Sequence, residues 1–217
     1  MTQLSDIKIW DSCLNGDRKA FAELYRRYYP LLYNYGCKFC ANKELVKDCI
    51  QNFFAKLIQN YHKLSATQSV KGYLLLAFRN RLYDDLKYEN SRSDMFLPCI
   101  DDLLSFDKSL IPYPPEDESS DDFIIMRLAF LELSPRQQEI LYLYYMLGAS
   151  HSDIADILNI NYQSSKNLLC RSLLKLKEMF FIKLKDYKGQ ADCKEEELDV
   201  FSHLAENFKW FHVELAK

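Results

Sequence analysis

Apolar residues in the amino-terminal part of the chain recur every three or four positions, which is the spacing of one face of an α-helix. Four such runs can be read between residues 1 and 92: Ile7, Trp10, Leu14; Phe21, Leu24, Tyr25, Tyr28, Leu32; Leu45, Ile50, Phe53, Phe54, Leu57; Tyr73, Leu74, Ala77, Phe78, Leu82, Leu86. Helices with a single apolar face bury it by packing against one another. The pattern therefore predicts at least four helices that form a bundle.

A second pattern, between residues 134 and 177, predicts two short helices joined at a tight corner and followed by a longer basic helix. Ser134 and Pro135 are typical of the N-cap and the first position of a helix. Apolar residues then recur at Ile140, Leu141, Tyr144 and Leu147. Gly148 follows, and glycine readily takes the left-handed conformation that ends a helix. The first short helix is expected to begin and end at these signals.

The second short helix is expected to be capped by Ser150 and Ser152. Its apolar residues are Ile154, Ala155 and Leu158, and Ala155 is small enough for another helix to cross close by. Asn159 is a turn residue that tolerates positive φ, and Ile160 is expected to fill the corner. This layout is typical of a helix-turn-helix.

The third helix, about residues 162 to 179, has Leu169, Leu173 and Leu176 on one face. Its other face carries side chains that can contact DNA: Gln163, Ser164, Lys166, Asn167, Arg171 and Lys175. Such a helix can place its amino-terminal half in a major groove, where Lys and Arg meet guanine, and Asn and Gln meet adenine. Ser165 stands where an apolar side chain is expected to face the partner helix, and Leu168 is the expected substitute.

An ordinary helical hairpin with solvated lysines would show the same apolar spacing. The combination of the cap, the small Ala155, the turn and the basic helix favours DNA recognition over that alternative.

The composition indicates a helical, globular protein. Of the 217 residues, 48% are hydrophobic and 14% aromatic, while 5 glycines and 6 prolines are too few for a strand-and-turn architecture. No run approaches the roughly 20 apolar residues that cross a bilayer, and the start of the chain lacks the basic-then-apolar order of a secretory signal. A cytoplasmic protein without membrane insertion is expected.

The cysteines and the absence of catalytic motifs argue against metal binding and against an enzyme. Seven cysteines are scattered at positions 13, 37, 40, 49, 99, 170 and 193, which suits reduced thiols better than a disulfide framework. Cys37 and Cys40 form a CxxC with Cys49 nearby, but the four histidines are dispersed, so core packing is favoured over a metal site. Without a phosphate loop, serine elbow or HExxH, we expect no catalysis and no cofactor.

Charge is segregated along the chain although the net charge is only −3. Residues 1–92 carry a net +6, residues 93–122 a net −8, residues 123–185 a net +3 and residues 186–217 a net −4. Binding to a polyanion depends on the local patch rather than on the sum. Two basic blocks therefore remain candidates for nucleic-acid binding.

These patterns predict an all-α protein with two helical domains joined by an acidic flexible linker. The expected divisions are a helical bundle at 1–92, the linker at 93–122, a helix-turn-helix domain at 123–181 and a helical extension at 182–217. The linker reads equally well as a passive tether or as a segment whose apolar residues lie in a partner's groove. The extension is expected to form an amphipathic helix through Leu198, Phe201, Leu204, Phe208 and Phe211.

Four blocks of the chain, in the same order, resemble the extracytoplasmic-function group of bacterial sigma factors. They are GDRKAFAELYRRYYPLLY, LVKDCIQNFFAKL, VKGYLLLAFRNRLYDDLK and the segment from LSPRQQEIL to LLKLK, and the likeness covers about residues 6 to 180. It implies an amino-terminal domain that binds the clamp helices of core RNA polymerase and melts the minus-ten element of promoter DNA. It also implies a carboxy-terminal domain that reads the minus-thirty-five element as duplex.

The resemblance also assigns residues. Polymerase binding falls on Asp48, Gln51, Asn52 and Phe53, with Asn52 replacing an acid of the usual pattern. Minus-ten binding falls on a loop at 64–69 and on the helix after it: Ser65, Thr67, Gln68, Lys71, Arg79, Asn80, Tyr83 and Lys87. Tyr73 is expected to pack internally. Minus-thirty-five reading falls on the six third-helix residues given above, although Leu168 stands where relatives often carry arginine.

The expected partners are therefore core RNA polymerase, promoter DNA and an anti-sigma factor or other regulatory protein. Two other classes stay open on the residues alone. One is a DNA-binding transcriptional regulator whose first bundle senses a ligand or a partner, and the other is an interaction module that binds an acidic protein. The acidic extension is expected to dock on the reader domain or on a regulatory partner through Leu198, Phe201, Leu204 and Phe208.

Overall fold

The computed structural model describes residues 5–91 and 121–188. Within these two segments the helices are α1 (Asp6–Leu14), α2 (Arg18–Phe39), α3 (Lys43–Gln59), α4 (Val70–Ser91), α5 (Asp121–Leu131), α6 (Pro135–Leu141), α7 (His151–Ile157) and α8 (Tyr162–Lys188). A 3-10 turn occupies Tyr61–Lys63 and a π-helical turn Tyr142–Met146, and no strand occurs in either segment. The all-α prediction is confirmed.

The chain divides into two compact units. The first contains α1 to α4, and the second contains α5, α6, α8 and most of α7. The predicted extension at 182–217 lies outside the described residues from position 189 onward, as does the predicted linker up to position 120. The three proposed boundaries between the four segments stay predictions.

The first unit is a bundle in which α2 contacts α1, α3 and α4. Its core is formed by large side chains that are less than 2% exposed: Trp10, Phe21, Leu24, Leu32, Tyr35, Ile50, Leu74, Leu75, Phe78 and Leu82. The predicted face of α1 is partly wrong, because Ile7 is half exposed while Ile9 and Cys13 are buried beside Trp10. Trp10 therefore sets the buried side of α1, and Ile7 faces away from it.

Side-chain caps and one close approach define the ends and the packing of these helices. Asp17 accepts a hydrogen bond from the amide of Lys19 at 2.8 Å, and Asn42 accepts one from Leu45 at 3.1 Å. Gly36 lies so near α3 that a Cβ atom there would stand 2.6 Å from Val46 Cγ1. Glycine is therefore required for α2 and α3 to approach at this point.

In the second unit, α6 begins where the sequence indicated. Ser134 Oγ accepts from the amide of Gln137 at 3.4 Å, and Gln137 Oε1 accepts from the amide of Ser134 at 3.0 Å, so the two residues form a capping box. Gly148 has φ of +57° and Asn159 has φ of +51°, which confirms both turn predictions. Only one of the two proposed caps of α7 is right: Ser150 exchanges hydrogen bonds with Asp153, whereas Ser152 is exposed within the helix.

Helix α8 is longer than predicted and extends to Lys188 instead of ending near Met179. The apolar stripe continues through Phe180 and Leu184, both buried, and α5 packs along α8. An ion pair between Lys183 Nζ and Glu132 at 2.7 Å adds a further contact after the end of α5. Packing against α5 accounts for the additional turns of α8.

Candidate polymerase and nucleic-acid interfaces

The predicted polymerase-binding residues lie on α3. Asp48, Gln51 and Asn52 are all exposed, and their spacing of three and four residues places them on one side of the helix. Phe53 is 7% exposed, with its ring centroid 5.2 Å from that of Phe54 and 6.2 Å from that of Phe78. Phe53 is thus a core residue beneath the surface that the other three form.

A stripe of three tyrosines on α2 is exposed in part, and the apolar pattern included only the first of them, Tyr25. Tyr25, Tyr29 and Tyr33 follow one another at intervals of four residues, and the rings of Tyr29 and Tyr33 stack at 5.9 Å with an interplanar angle of 7°. Lys47 of α3 lies near Tyr29 and Tyr33, and its pKa is raised mainly by a hydrogen bond to Glu44. The stripe therefore adjoins the outer surface of α3.

The loop at 64–69 is anchored through its backbone. The indole of Trp10 donates a hydrogen bond to the carbonyl oxygen of Ser65 at 3.0 Å, and the Thr67 hydroxyl exchanges hydrogen bonds with the backbone of Ser69 at 3.2 Å. Ser65 and Gln68 are exposed, whereas Thr67 is exposed only in part. A loop with a fixed backbone can thus offer the side chains of Ser65 and Gln68 to solvent.

Tyr73 packs internally, as predicted. Its ring centroid is 5.0 Å from that of Trp10, and burial raises the pKa of its phenol. Trp10 therefore contacts both the loop at 64–69 and the start of α4.

The remaining minus-ten candidates follow the loop along α4. Asn80 and Lys87 are exposed, while Lys71, Arg79 and Tyr83 are half-buried. Helical spacing places positions 79, 80, 83 and 87 on one side of α4. The neighbouring cation Arg81 is paired with Asp85 at 2.9 Å within the same helix.

The third-helix candidates occupy the first four turns of α8. The Asn161 side chain accepts from the amide of Ser164 at 2.7 Å and so caps this end of the helix. Gln163 donates to Asn167 at 3.1 Å, Lys166 Nζ lies 4.9 Å from the ring centroid of Tyr162, and Lys175 pairs with Glu178 at 3.0 Å. Gln163, Lys166, Asn167 and Arg171 are exposed, and Ser164 and Lys175 are half-buried.

An open groove of about 260 Å³ lies beside the start of α8. Its lining residues are Arg136, Ile160, Ser164, Asn167, Leu168 and Arg171. Arg136 belongs to α6 and was not predicted, although it directly follows the Ser134–Pro135 helix start. Leu168 lies half-buried in this groove, and the expectation that it replaces the missing apolar contact at Ser165 stays a prediction.

The contact at Ser165 is polar. Ser165 is fully buried, and its Oγ lies 3.1 Å from Nδ1 of His151, the first residue of α7. The imidazole ring lies 5.2 Å from the ring of Tyr144 and 6.0 Å from that of Tyr162. The histidine ring therefore fills the space that an apolar side chain from α8 would otherwise occupy.

The three cysteines that were weighed as metal ligands in the sequence are buried in the structure. Cys37, Cys40 and Cys49 are buried, and burial raises the pKa of Cys37 and Cys49. Residues 5–91 and 121–188 contain no group of three side chains placed to hold a metal ion. In the same segments, no helix has both the length and the apolar composition needed to span a membrane.

Comparison with known proteins gives one family model for each unit. "Sigma-70 region 2" matches residues 24–92 and "Sigma-70, region 4" matches residues 124–176. Together the two matches cover more than half of the chain, and they define a factor of transcription initiation. The chain belongs to the sigma-70 family, and its resemblance to the extracytoplasmic-function group is confirmed. The alternative of a regulator with a sensing bundle is not favoured, because region 2 occupies that bundle.

Two solved structures share the fold. CnrH, solved with the cytosolic domain of CnrY, is 15% identical with a TM-score of 0.55, and the match covers 82% of this chain and 97% of that one. The sigma factor RpoE of Bartonella quintana, solved with the anti-sigma factor NepR, is 18% identical with a TM-score of 0.54, covering 76% and 98%. A search of curated protein sequences found no match.

Proposed function

We propose that this sigma factor binds core RNA polymerase through α3, captures an opened promoter strand with the loop at 64–69 and α4, and contacts upstream duplex with α8. The observation that carries the proposal is the placement of the two sigma-70 regions, because region 2 falls on the unit with the first two surfaces and region 4 on the unit with the third. The corresponding parts of the chain are a first domain at 1–92, the linker at 93–122, a second domain at 123–181 and the extension at 182–217.

The polymerase surface is formed by Asp48, Gln51 and Asn52, supported from below by Phe53. An exposed carboxylate steers a basic partner and fixes its register, while the two amides supply donors and acceptors without a charge. Asn52 gives a hydrogen-bonding contact in place of an ion pair, so Asp48 is the main electrostatic determinant on this surface.

Strand capture rests on polar side chains held by a fixed backbone. Ser65, Thr67 and Gln68 offer hydrogen bonds to an unstacked base, and Tyr83 offers an aromatic edge further along α4. Lys71, Arg79 and Lys87 neutralise the strand's phosphates, and Asn80 supplies a neutral contact among them. Because these cations lie along one helix, the strand is expected to follow α4.

Duplex contact rests on the six residues of α8. Gln163, Ser164, Lys166 and Asn167 are in the first two turns, which are the turns of a recognition helix that enter the major groove. Arg171 and Lys175 follow at positions suited to phosphate.

Partners and place of action follow from the same proposal. CnrH and RpoE were each solved with a second protein, which supports a regulatory or anti-sigma partner for this chain. RNA synthesis belongs to the polymerase, so the chain acts without catalysis, cofactor or metal, in the cytoplasm. The docking of the extension through Leu198, Phe201, Leu204 and Phe208 remains part of this proposal.

Reconstitution with purified core polymerase tests the proposal. Asp48→Lys is expected to weaken binding to core at least tenfold, since it replaces an attractive charge with a repulsive one. Asp11→Lys is the matched control, because it makes the same charge change at an exposed position of α1. Binding to core and RNA synthesis from a selected promoter are both measured. DNA binding by the wild type without any effect on core would contradict the proposal.

A further inference from the structure

The groove beside α8 combines apolar lining with positive charge. Ile160 and Leu168 are half-buried in it, while Asn167 and Arg171 are exposed. Arg136 approaches from α6 and Arg171 from α8, so the two guanidinium groups belong to different helices around one opening. None of the six lining residues is acidic. The groove is therefore suited to a polyanion that also presents an apolar group.

Its position favours duplex DNA as that polyanion. Ser164, Asn167, Leu168 and Arg171 lie on one side of the first three turns of α8 and line the groove together. Those turns are the ones that a helix-turn-helix presents to base edges, and arginines beside them reach the phosphates on either side. This step rests on the proposed function of α8.

The chemistry of Leu168 limits which base it can favour. In the major groove, guanine, cytosine and adenine offer hydrogen-bonding groups at their edges, and thymine alone offers a methyl group. A leucine side chain cannot donate or accept a hydrogen bond, so its favourable contact with a base edge is burial of that methyl group. Ile160, which precedes α8, adds apolar surface to the lining of the same groove.

We propose that Leu168 selects thymine at one position of the upstream promoter element by enclosing its methyl group against Ile160. Arg136 and Arg171 hold the flanking phosphates and so place the base pair over the groove. Leu168 thereby gives the chain a base preference, although its side chain cannot form the hydrogen bonds that identify guanine.

The test removes one methyl group from the DNA. Full-length protein with core polymerase is used to select upstream elements from a randomised duplex library, and each thymine of the preferred element is then replaced by deoxyuridine. One replacement is expected to weaken binding by about fourfold, which corresponds to one methyl group removed from water. With Leu168→Ala, the thymine and uracil duplexes are expected to bind equally.

Two variants control the test. Leu174→Ala makes the same change at a leucine of α8 that is 63% exposed, and it should keep the full sensitivity to uracil. Leu168→Met keeps an apolar side chain and should keep most of that sensitivity. Thermal melting of each variant verifies that it is folded, and the conservative methionine provides the comparison should alanine unfold the domain.

The outcomes separate this inference from the proposed function. Promoter-dependent RNA that is insensitive to every uracil replacement would overturn the thymine preference and leave the sigma function intact. Sensitivity that persists in Leu168→Ala would assign the methyl contact to another residue and also overturn the inference. Wild-type protein that gives no promoter-dependent RNA would contradict the proposed function itself.

Discussion

Ser165 is a small polar residue at a fully buried position of α8, where its hydroxyl meets the imidazole of His151. The pair links the first residue of α7 to the recognition helix across 14 positions of sequence. A buried hydroxyl with a partner is stable, whereas the same hydroxyl without one costs about 1 to 3 kcal/mol. The contact between α7 and α8 thus includes a hydrogen-bonding pair at a fully buried position of α8.

We expect Ser165→Leu, which would restore the regular apolar pattern of α8, to lower the free energy of unfolding by about 1 to 3 kcal/mol. Leucine must displace the imidazole ring from a closely packed site, and the histidine then loses its hydroxyl partner. Urea unfolding at neutral pH measures the effect, and Ser152→Leu, at an exposed position of α7, is the control. A more stable Ser165→Leu protein would show that the hydroxyl contact is dispensable.

At the scale of single residues, helical spacing placed Tyr73 in the apolar run of α4, and its ring packs against Trp10. Asp48 and Gln51, which are exposed on α3, were singled out by the family resemblance instead. The contact between His151 and Ser165 was not, because spacing along one helix contains no information about what a second helix places opposite it. Arg136 was missed for the same reason, since its value depends on lining the same groove as Arg171, which belongs to another helix.

At the scale of elements, the helix-turn-helix is defined mainly by its ends. The Ser134–Gln137 capping box begins α6, and Gly148 follows the π-helical turn at Tyr142–Met146 that continues it. The Ser150 cap precedes α7 and the left-handed Asn159 follows it. Caps and turns of this kind depend on local residue types, so the sequence predicts them well. The length of α8 is different, because its last turns are stabilised by α5 rather than by their own propensity.

We expect Gly148→Ala to lower the free energy of unfolding by about 1 to 2 kcal/mol. The cost is one of backbone conformation alone, since φ at Gly148 is +57° and an added Cβ meets no atom within 4 Å. Gly148→Asn is the matched variant, and it should be less destabilising because asparagine enters the left-handed region more readily. Thermal unfolding of the three proteins ranks them. Equal stability of the alanine and asparagine variants would contradict this explanation.

At the scale of the whole molecule, local charge matters more than total charge. The chain is acidic overall, yet the residues proposed to meet DNA lie in its two basic blocks. The segregation was visible in the sequence because it follows from counting charges along the chain. The surfaces on which those charged residues lie could not be predicted from the sequence, because they depend on which helices pack together.

Buried thiols and phenols should make the protein lose stability in alkali. Burial raises the pKa of Cys13 to about 11, and it also raises the pKa of Cys49 and Tyr28. Between the unfolded thiol pKa near 9.0 and about 11, the unfolded chain releases a proton that the folded chain keeps. We therefore expect these groups to leave the free energy of unfolding unchanged below about pH 8 and to lower it progressively above that pH.

The slope of that decline identifies the contribution of Cys13. In Cys13→Ala the free energy of unfolding should decrease less steeply with pH above 9.0, whatever the absolute cost of the substitution. Cys170→Ala is the control, because that thiol is exposed and meets solvent in both states. Denaturant unfolding from pH 7 to 11 provides the slopes, and identical slopes for wild type and Cys13→Ala would exclude this thiol as a source of the loss.

The hydrogen bond from the Trp10 indole to the Ser65 carbonyl has a spectroscopic consequence. The chain has 2 tryptophans, so Trp210→Phe leaves the emission of Trp10 as the sole indole fluorescence. That indole is buried and hydrogen-bonded to the loop proposed to hold an opened strand. A shift of the loop is therefore expected to change the emission wavelength and the fluorescence lifetime of Trp10. The protein thus carries a built-in optical probe of strand capture that needs no attached dye.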